Sequence, residues 1–211
     1  MTIPEISQAI SEFGIMLIIS AIFLYTAIRL INIFLKGIES KVSNRKHDKL
    51  IDIRMSVNQK VQSLIDDHLE SHDSDRVHVI EFTNSVTSVA YLPFKYMSCT
   101  YEVYRIGKSP TASKIDHMST SLFPKFFEKL YDNDYVILDV NHENRQYGKA
   151  IYEILKSSGE PHCLCAILRT CRGKALGYVC IRNETSFSEA DVEDVQTLAS
   201  KLSALLGIAD K

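Results

Sequence analysis

An apolar run from Phe13 to Leu35 is the feature that most constrains this chain. It reads FGIMLIISAIFLYTAIRLINIFL, and Arg29 is its only charged residue. A helix needs about 20 mostly apolar residues to cross the hydrocarbon core of a bilayer. The run has that length, so the sequence predicts one transmembrane helix over residues 13–35. The alternative is a buried helix of a soluble domain, which Arg29 and Asn32 favour slightly.

The charges on either side of this run predict its orientation. Residues 1–12 contain two glutamates and no basic residue, whereas the following segment contains Lys36, Lys41, Arg45, Lys46 and Lys49. Positive charge beside a span stays on the cytoplasmic side. Residues 1–12 are therefore expected to be a short external N-terminus, and residues 36–45 a basic juxtamembrane linker before a cytoplasmic domain. A cleaved signal peptide is disfavoured, because it needs basic residues before the apolar run and a small-residue cleavage site after it.

Composition narrows the possible partners of the domain. The chain has 24 basic and 26 acidic residues, so its charge gives no reason to expect nucleic acid as a partner. Its 5 cysteines are odd in number and have no framework spacing, which argues against a disulfide scaffold. A cytoplasmic location also keeps thiols reduced.

Residues 46–70 have a helical pattern directly after the linker. Apolar residues recur at steps of three and four and form one stripe: Leu50, Ile53, Val57, Val61, Leu64 and His68. The stripe is expected to pack on its own domain, or on a second copy of the chain as a short coiled coil. The predicted partners are therefore the lipid bilayer and a second copy of the chain, which would form a homodimer through the 46–70 helix.

The rest of the chain alternates between strand and helix patterns. β-branched and aromatic runs predict strands at residues 77–82, 96–106, 135–140, 162–169 and 175–182. Helical spacing predicts helices at residues 119–133, 148–158 and from Ser188 to about Leu206. Gly173 makes the last two strands a hairpin, and Ser188 with Asp191 forms a capping arrangement. This order predicts an α+β fold, with an antiparallel sheet flanked by helices after the N-terminal transmembrane helix.

The final hairpin and helix resemble the end of a GAF domain, a small-ligand sensor fold related to PAS domains. The segment ALGYVCIRNETSFSEADVEDVQTLASKLSALL contains a glycine-bearing strand, then Phe-Ser-x-x-Asp, then a helix with a Leu-Ala pair. The preceding elements follow the order of that fold, so the resemblance covers residues 46–208. It implies a GAF-like cytoplasmic domain that binds a small ligand or a partner protein.

A second resemblance covers a shorter segment. Residues 81–84 (EFTN), followed by residues 92–94 (LPF), are similar to a motif in membrane-anchored bacteriophage proteins that often reads Glu-Phe-His-Asn-Gly and then Leu-Pro-Phe. Thr83 and Ser85 stand where those proteins have His and Gly, so no role of the His or Gly is carried over. The resemblance implies a single-pass protein of the bacterial, or phage-infected host, inner membrane and supplies no chemistry.

A group of sulfur and imidazole side chains raises the question of a zinc site: His162, Cys163, Cys165 and Cys171. Structural zinc sites usually place two to four residues between the members of each ligand pair. Cys163 and Cys165 are instead one residue apart, on one face of a predicted strand. The expected arrangement is two buried thiols and an exposed Cys171, and no metal or cofactor is assigned.

Six residues are the candidate ligand-binding residues. An inward carboxylate on a predicted strand must be hydrogen bonded or paired, which makes Glu81 and Glu102 candidates; an outward or structural position is the alternative. The loop 85–95 either lines the mouth of a pocket, since binding residues collect on such loops, or packs Phe94 under the sheet. The full set is Glu81, Asn84, Tyr91, Phe94, Tyr101 and Glu102.

The predicted function is that of a membrane-anchored cytoplasmic sensor or regulatory module without enzymatic activity. A ligand or partner on the domain would shift the membrane-proximal helix. One alternative is a phage protein acting at the host inner membrane, in lysis control or envelope modification, with the domain as a docking surface. Another is a thiol enzyme of the free-methionine-sulfoxide reductase type, which needs an accessible thiolate of low pKa; the glycine-rich cysteine signature of those reductases is absent.

Overall fold

The computed structural model of this chain describes residues 3–83, 94–140, 147–157 and 159–209. The chain divides into two compact units, Met1–Ile53 and Arg54–Lys211. Helix α1 extends from Ile3 to Ser71 and includes the segments predicted as span, linker and amphipathic helix. Among the residues that the structure describes, no helix has the length and apolarity that crossing a bilayer requires.

The second unit is built on one six-stranded antiparallel sheet with the strand order β3-β2-β1-β6-β5-β4. The strands are β1 Arg76–Thr83, β2 Tyr96–Tyr104, β3 Met118–Ser119, β4 Tyr135–Asp139, β5 His162–Arg169 and β6 Ala175–Asn183. The central pair, β1 and β6, joins the beginning of the domain to its end. The predicted α+β fold with an antiparallel sheet is confirmed, and the short strand β3 is an addition to it.

Three further helices complete the unit: α2 Pro124–Asn133, α3 Lys149–Lys156 and α4 Glu189–Ala209. The predicted start of α2 at residue 119 was wrong, because Met118–Ser119 pair with β2 and Thr120–Leu122 form a 3-10 turn. The helix begins instead at Pro124, whose fixed φ suits a first helical position.

The cap of α4 is confirmed at Ser188. The backbone N–H of Ser188 donates to Oδ2 of Asp191 at 2.6 Å, and the backbone N–H of Asp191 donates to Oγ of Ser188 at 3.3 Å. This reciprocal pair satisfies N–H groups that the first turn of a helix leaves unpaired.

The sheet separates two apolar layers. On one face, α1 and α4 pack against every second residue of the strands. The helix residues that make this contact are Val57, Val61, Ile65, Val195, Leu198, Ala199 and Leu202. The predicted α1 stripe is therefore confirmed at Val57, Val61 and His68, although Ile65 was not part of it. Ile53 is exposed, and the Leu50 side chain lies outside the described residues.

The opposite face is covered by α2 and α3 and is rich in aromatic rings. Phe126, Phe127 and Leu130 of α2 are fully buried there, with Ile151 and Leu155 of α3. The same face also contains charged and thiol side chains, which form the candidate site.

Candidate functional site

Strand pairing places a first row of polar side chains under α2 and α3. Arg76 on β1 lies opposite Tyr104 on β2 and opposite Arg182 on β6. Arg182 in turn lies opposite Cys163 on β5. Residues directly opposite each other on one sheet face have Cβ atoms about 4.5–5.5 Å apart, so this row is continuous across four strands.

A second row lies one step along the same strands. His78 lies opposite Glu102 on β2 and Cys180 on β6, and Cys180 lies opposite Cys165 on β5. Side chains two residues apart on a strand share a face, so the two rows are neighbours.

The side chains of these rows, with Thr111 and Glu160 beside them, form two clusters. The polar cluster is Arg76, His78, Glu102, Thr111, Glu160 and Arg182; the thiol cluster is Cys163, Cys165 and Cys180.

Glu102 is the centre of the polar cluster. Its Oε1 accepts hydrogen bonds from Nη1 of Arg76, from Nε2 of His78 at 3.0 Å, and from the backbone N–H and hydroxyl of Thr111 at 2.8 and 2.9 Å. Its Oε2 accepts one from the backbone N–H of Ala112 at 2.9 Å. Burial opposes ionisation, but the hydrogen bonds from His78, Thr111 and Ala112 outweigh it and hold the pKa of the Glu102 carboxyl well below its ordinary value.

A buried ion pair extends the cluster from Arg76 to Glu160. Nη2 of Arg76 lies 3.2 Å from Oε1 of Glu160, and the two side chains are 1% and 0% exposed. Lys108 approaches the same carboxylate oxygen to 3.9 Å from the domain surface. A charge in this position is stable only with its partner, since an unpaired buried charge costs several kcal/mol.

Three buried atoms of this cluster have no hydrogen-bond partner among the described residues: Nε of Arg76, Nδ1 of His78 and Oε2 of Glu160. A buried polar atom without a partner costs about 1–3 kcal/mol, and such atoms in a native protein usually face a water, an ion or a ligand. The cluster therefore has unused capacity to bind a polar group.

The thiol cluster lies beside Arg182. Sγ of Cys163 is 2.9 Å from Sγ of Cys180 and 3.5 Å from Sγ of Cys165, and all three sulfur atoms lie within 4.8 Å of one another. Burial raises the pKa of Cys163 and of Cys165, whereas hydrogen bonding from these two thiols holds the pKa of Cys180 well below its ordinary value. The three sulfurs thus favour one thiolate that accepts hydrogen bonds from two thiols.

A small cavity adjoins the three thiols. It has a volume of about 20 Å³ and is lined by the thiol cluster, Arg182 and apolar side chains of α2 and α3. Typical small-molecule sites measure roughly 300–1,000 Å³. The cavity has room for one water molecule or one ion.

The structure divides the six predicted site residues between different environments. Glu102 belongs to the polar cluster. Glu81 and Tyr101 line a groove of about 360 Å³ on the opposite face of the sheet, with Arg54 and Lys174. Phe94 belongs to the apolar core on the face that carries the polar cluster.

Phe94 is a core residue in the structure. Its ring is 3% exposed and stacks on Phe82 with the ring centroids 3.6 Å apart. Of the two alternatives given for loop 85–95, the structure shows the second, in which Phe94 packs under the sheet. Asn84 and Tyr91 lie outside the described residues.

The four residues that were weighed and not assigned as a zinc site do not form one group in the structure. Cys171 is exposed in the turn between β5 and β6, and Nδ1 of His162 lies 3.6 Å from Oδ1 of Asp139. The expected pair of buried thiols with an exposed Cys171 is confirmed.

Sequence reasoning missed six members of the site: Arg76, His78, Thr111, Glu160, Cys180 and Arg182. Four of them belong to pairs two residues apart on a strand, Arg76 with His78 and Cys180 with Arg182. A polar pair at this spacing inside an otherwise apolar strand was the available signal. Glu160 precedes β5 and had none.

Comparison with known proteins identifies the fold. No protein-family model and no curated protein matches the chain. Among solved structures, a far-red cyanobacteriochrome photoreceptor is 10% identical with a TM-score of 0.58, and the match covers 81% of this chain and 99% of that one. The GAF domain of PixJ from Thermosynechococcus elongatus, in its blue-light absorbing form, is 16% identical with a TM-score of 0.56, covering 75% and 89%.

A third similar structure is a phycocyanobilin-bound GAF domain from a cyanobacterial phytochrome. It is 15% identical, with a TM-score of 0.55 and coverage of 76% of this chain and 92% of that one. These likenesses define the domain as GAF-like in fold, which confirms the resemblance seen in its last hairpin and helix.

Among the described residues, the sheet face under α2 has little open space. The buried rings of Phe126, Phe127 and Tyr178 fill the space between the sheet and α2. The cavity that remains beside the thiols is about 20 Å³, far below the volume that a small-molecule site needs.

Proposed function

We propose that this chain is a membrane-anchored sensor or regulatory module that binds a small ligand or a partner protein through its GAF-like domain. The observation that supports this proposal best is the polar cluster, where three buried polar atoms have no partner among the described residues. A bound group that hydrogen bonds to these atoms would remove the free-energy penalty of burying them without a partner. The GAF-like fold is consistent with this role.

The proposal includes the absence of enzymatic activity. A thiol enzyme needs an accessible thiolate of low pKa. Burial raises the pKa of Cys99 to about 12, with a further contribution from Glu102, and burial also raises the pKa values of Cys163 and Cys165. Cys180 has a depressed pKa, but its side chain is buried. These environments favour binding over redox catalysis.

Membrane anchoring through residues 13–35 is the second part of the proposal. Nine large hydrophobic side chains between residues 23 and 35 are exposed: Phe23, Leu24, Tyr25, Ile28, Leu30, Ile31, Ile33, Phe34 and Leu35. A helix that is hydrophobic all round normally lies in an apolar environment. The basic residues that follow favour a single span with the N-terminus outside and the domain in the cytoplasm. The resemblance to membrane-anchored phage proteins favours a bacterial or host inner membrane.

Membrane fractionation of the full-length chain tests the anchor. The wild-type chain should stay in the membrane pellet during alkaline extraction, whereas a Leu24→Lys/Ile31→Lys variant should be released, because charge inside a span is unfavourable. The matched control is Asn32→Ala, which should stay in the pellet. Extraction of the wild-type chain into the soluble fraction would overturn the anchor.

Signal transmission is proposed to pass through α1. Val57, Val61 and Ile65 of this helix pack against the sheet face opposite the polar cluster, so a change in the sheet reaches the helix directly. Close-packed interiors convert small shifts into changes between discrete packings. A homodimer through residues 46–70 would then report the state of the domain.

Disulfide crosslinking of the full-length chain tests this role. Met55 is exposed on α1, so Met55→Cys in a Cys171→Ser background reports the proximity of two copies. Native mass spectrometry of the purified chain identifies any molecule that co-purifies. A crosslinked fraction that depends on that molecule supports a sensor, and a fraction that is the same with the molecule present and removed overturns it.

A further inference from the structure

We propose that the thiol cluster, with Nδ1 of His78 as a fourth donor, binds a metal ion of the zinc class. The inference deepens the proposed function, because it names the kind of ligand that the buried site takes. It begins from three neighbouring sulfur atoms and a small cavity on β5 and β6, with the imidazole of His78 on the adjacent strand β1.

The sulfur atoms have the arrangement that a metal requires. Zinc–sulfur bonds of about 2.3 Å in a tetrahedral centre place the sulfur atoms about 3.8 Å apart. In the structure the three sulfurs lie within 4.8 Å of one another, with shorter separations of 2.9 and 3.5 Å from Cys163. A small outward movement of these thiols is therefore enough, and the adjoining cavity of about 20 Å³ gives them the space.

His78 is the natural fourth donor. It lies directly opposite Cys180 across the β1–β6 pair. Its Nε2 is within hydrogen-bond distance of Glu102 at 3.0 Å, and its Nδ1 is buried without a partner among the described residues. An ionised carboxylate only accepts, so in the neutral ring that binds a metal the proton lies on Nε2 and the lone pair of Nδ1 faces the ion.

The contact between His78 and Glu102 matches the surroundings of a metal-bound histidine. Such histidines almost always donate their second ring N–H to a carboxylate or carbonyl, which fixes the ring and its tautomer. Glu102 is itself held by backbone N–H groups of Thr111 and Ala112. The ring orientation is therefore set before any ion binds.

Charge at the site also suits a thiolate-bound cation. A divalent ion with three thiolates has one net negative charge, and Arg182 lies beside the three cysteines. Soft thiolate donors select zinc-class and other thiophilic ions over magnesium or calcium. Binding exchanges up to three thiol protons for the ion, so protons are released to solvent.

Metal analysis of the full-length chain tests the site. Purified with zinc in the medium and then dialysed, the wild-type chain should retain about one zinc ion per chain, the stoichiometry of a single closed Cys₃His centre. Added Co²⁺ should give the visible absorption bands of tetrahedral thiolate coordination. A Cys163→Ser/Cys180→Ser variant should retain little metal, and the matched control Cys171→Ser should retain as much as the wild type.

One measurement uses the wild-type chain alone, so it does not depend on a variant that fails to fold. Zinc added to the metal-free wild-type chain should raise its melting temperature, because an ion that binds only the folded state stabilises it. Where the Glu102→Gln chain is shown by circular dichroism to be folded, it should bind zinc about 10–100-fold more weakly, because it has lost the carboxylate that orients His78. A wild-type chain that contains no zinc and shows no shift in melting temperature overturns the proposal, as does equal zinc in the double cysteine variant.

A mass lower by two hydrogen atoms, kept in Cys171→Ser but lost in Cys163→Ser/Cys180→Ser, would identify a disulfide within the thiol cluster instead, and would also overturn the metal site. The outcomes separate the two proposals. Zinc binding without an effect on Met55→Cys crosslinking overturns the sensor role alone. Crosslinking that responds to a different co-purified molecule, in a chain without zinc, overturns the metal site alone.

Discussion

Glu102 on β2 and His78 on β1 share a hydrogen bond of 3.0 Å, and the 3-10 segment Ala112–Ile115 contacts the Glu102 carboxylate through the backbone N–H of Ala112. The same carboxylate also pairs with Arg76, whose side chain is 1% exposed. One acidic side chain therefore neutralises a buried guanidinium and fixes the tautomer of a buried imidazole. Stability and ligand binding are expected to depend on it together.

Removal of the Glu102 charge should destabilise the domain strongly. In Glu102→Gln, Arg76 keeps only Glu160 as a charged partner, and breaking a buried ion pair costs about 3–5 kcal/mol. We expect the free energy of unfolding to fall by about 3 kcal/mol, the lower end of this range. The Glu102 side chain is 7% exposed in the wild type, and Glu160 still pairs with Arg76 in the variant. Urea unfolding of the full-length chain, followed by circular dichroism, measures the free energy of unfolding.

The matched control for this substitution is Glu184→Gln. Glu184 pairs with Lys108 at 2.8 Å on the domain surface, where ion pairs contribute little to stability. No measurable change in the free energy of unfolding is expected. Equal effects of the two substitutions would contradict the structural role given to Glu102.

Gly177 should not tolerate a methyl group. A Cβ atom at this position would lie 2.0 Å from the backbone oxygen of Ile80 on the neighbouring strand. Gly177→Ala should therefore separate β6 from β1 and lower the melting temperature, since overpacking of a tight interior costs about 1–3 kcal/mol or more.

At Gly207, unlike at Gly177, a substitution by alanine should stabilise the chain. It lies in α4, and a Cβ there would meet no atom within 4 Å among the described residues. Alanine in a helix is favoured over glycine by about 1 kcal/mol. Gly207→Ala should thus raise the melting temperature in the same assay, and a decrease would show that the helix is frayed or distorted at this point.

Phe94 should behave as a core residue. Its ring stacks on Phe82 and contacts Phe127 at an edge, with ring centroids 5.5 Å apart. Phe94→Ala is expected to cost about 3–5 kcal/mol through lost burial and a residual cavity. The control Leu122→Ala removes an exposed apolar side chain and should have little effect on unfolding. A Phe94→Ala chain that keeps wild-type stability would return this residue to the candidate ligand-binding set.

His68 should make the stability of the domain depend on pH. Burial and then the stacked ring of His72 lower the pKa of His68 to about 4, although Asp194 and Asp191 of α4 oppose this; Lys201 adds to the lowering. The unfolded chain has a pKa of about 6.5 and takes up the proton first. The contribution to stability is therefore complete above about pH 6.5 and is lost as the pH falls to about 4.

The expected loss is about 2 kcal/mol, less than the full pKa difference implies, because His68 lines a groove with Asp194 and Lys201 where solvent screens its charge. His68→Leu should remove this component from the dependence of the free energy of unfolding on pH. His117→Asn is the control, since His117 is exposed and Asn tolerates its left-handed φ of 49°. Identical pH slopes in His68→Leu and wild type would refute the assignment.

Local sequence signals predicted much of the fold. The hairpin of β5 and β6, the cap at Ser188 and the buried stripe around Val57 and Val61 all depend on residues close together in the chain. The 3.6-residue and two-residue periodicities indicated which residues share a face. The start of α2 was mispredicted because a short strand pairing at Met118 with β2 replaced the local helical pattern.

The candidate site depended on long-range pairing. His78, Glu102 and Cys180 come from three strands and meet only because β1 lies between β2 and β6 in a particular register. Periodicity shows which residues of one strand lie on the same face of the sheet. It does not show which strand is the neighbour or in what register the two strands pair. The grouping of Cys163 with the nearby Cys171 failed for this reason, since the tertiary structure brings Cys180 to it instead.

The sequence by itself determined most of the helices and strands and their order, because capping, turn chemistry and side-chain periodicity act over a few residues. The tertiary structure alone decided that charged and thiol side chains from four strands share one buried face. Their burial is tolerated because Glu102, Arg76 and Glu160 neutralise one another there. That compensation exists only when the sheet has formed, so no single segment of the chain contains it.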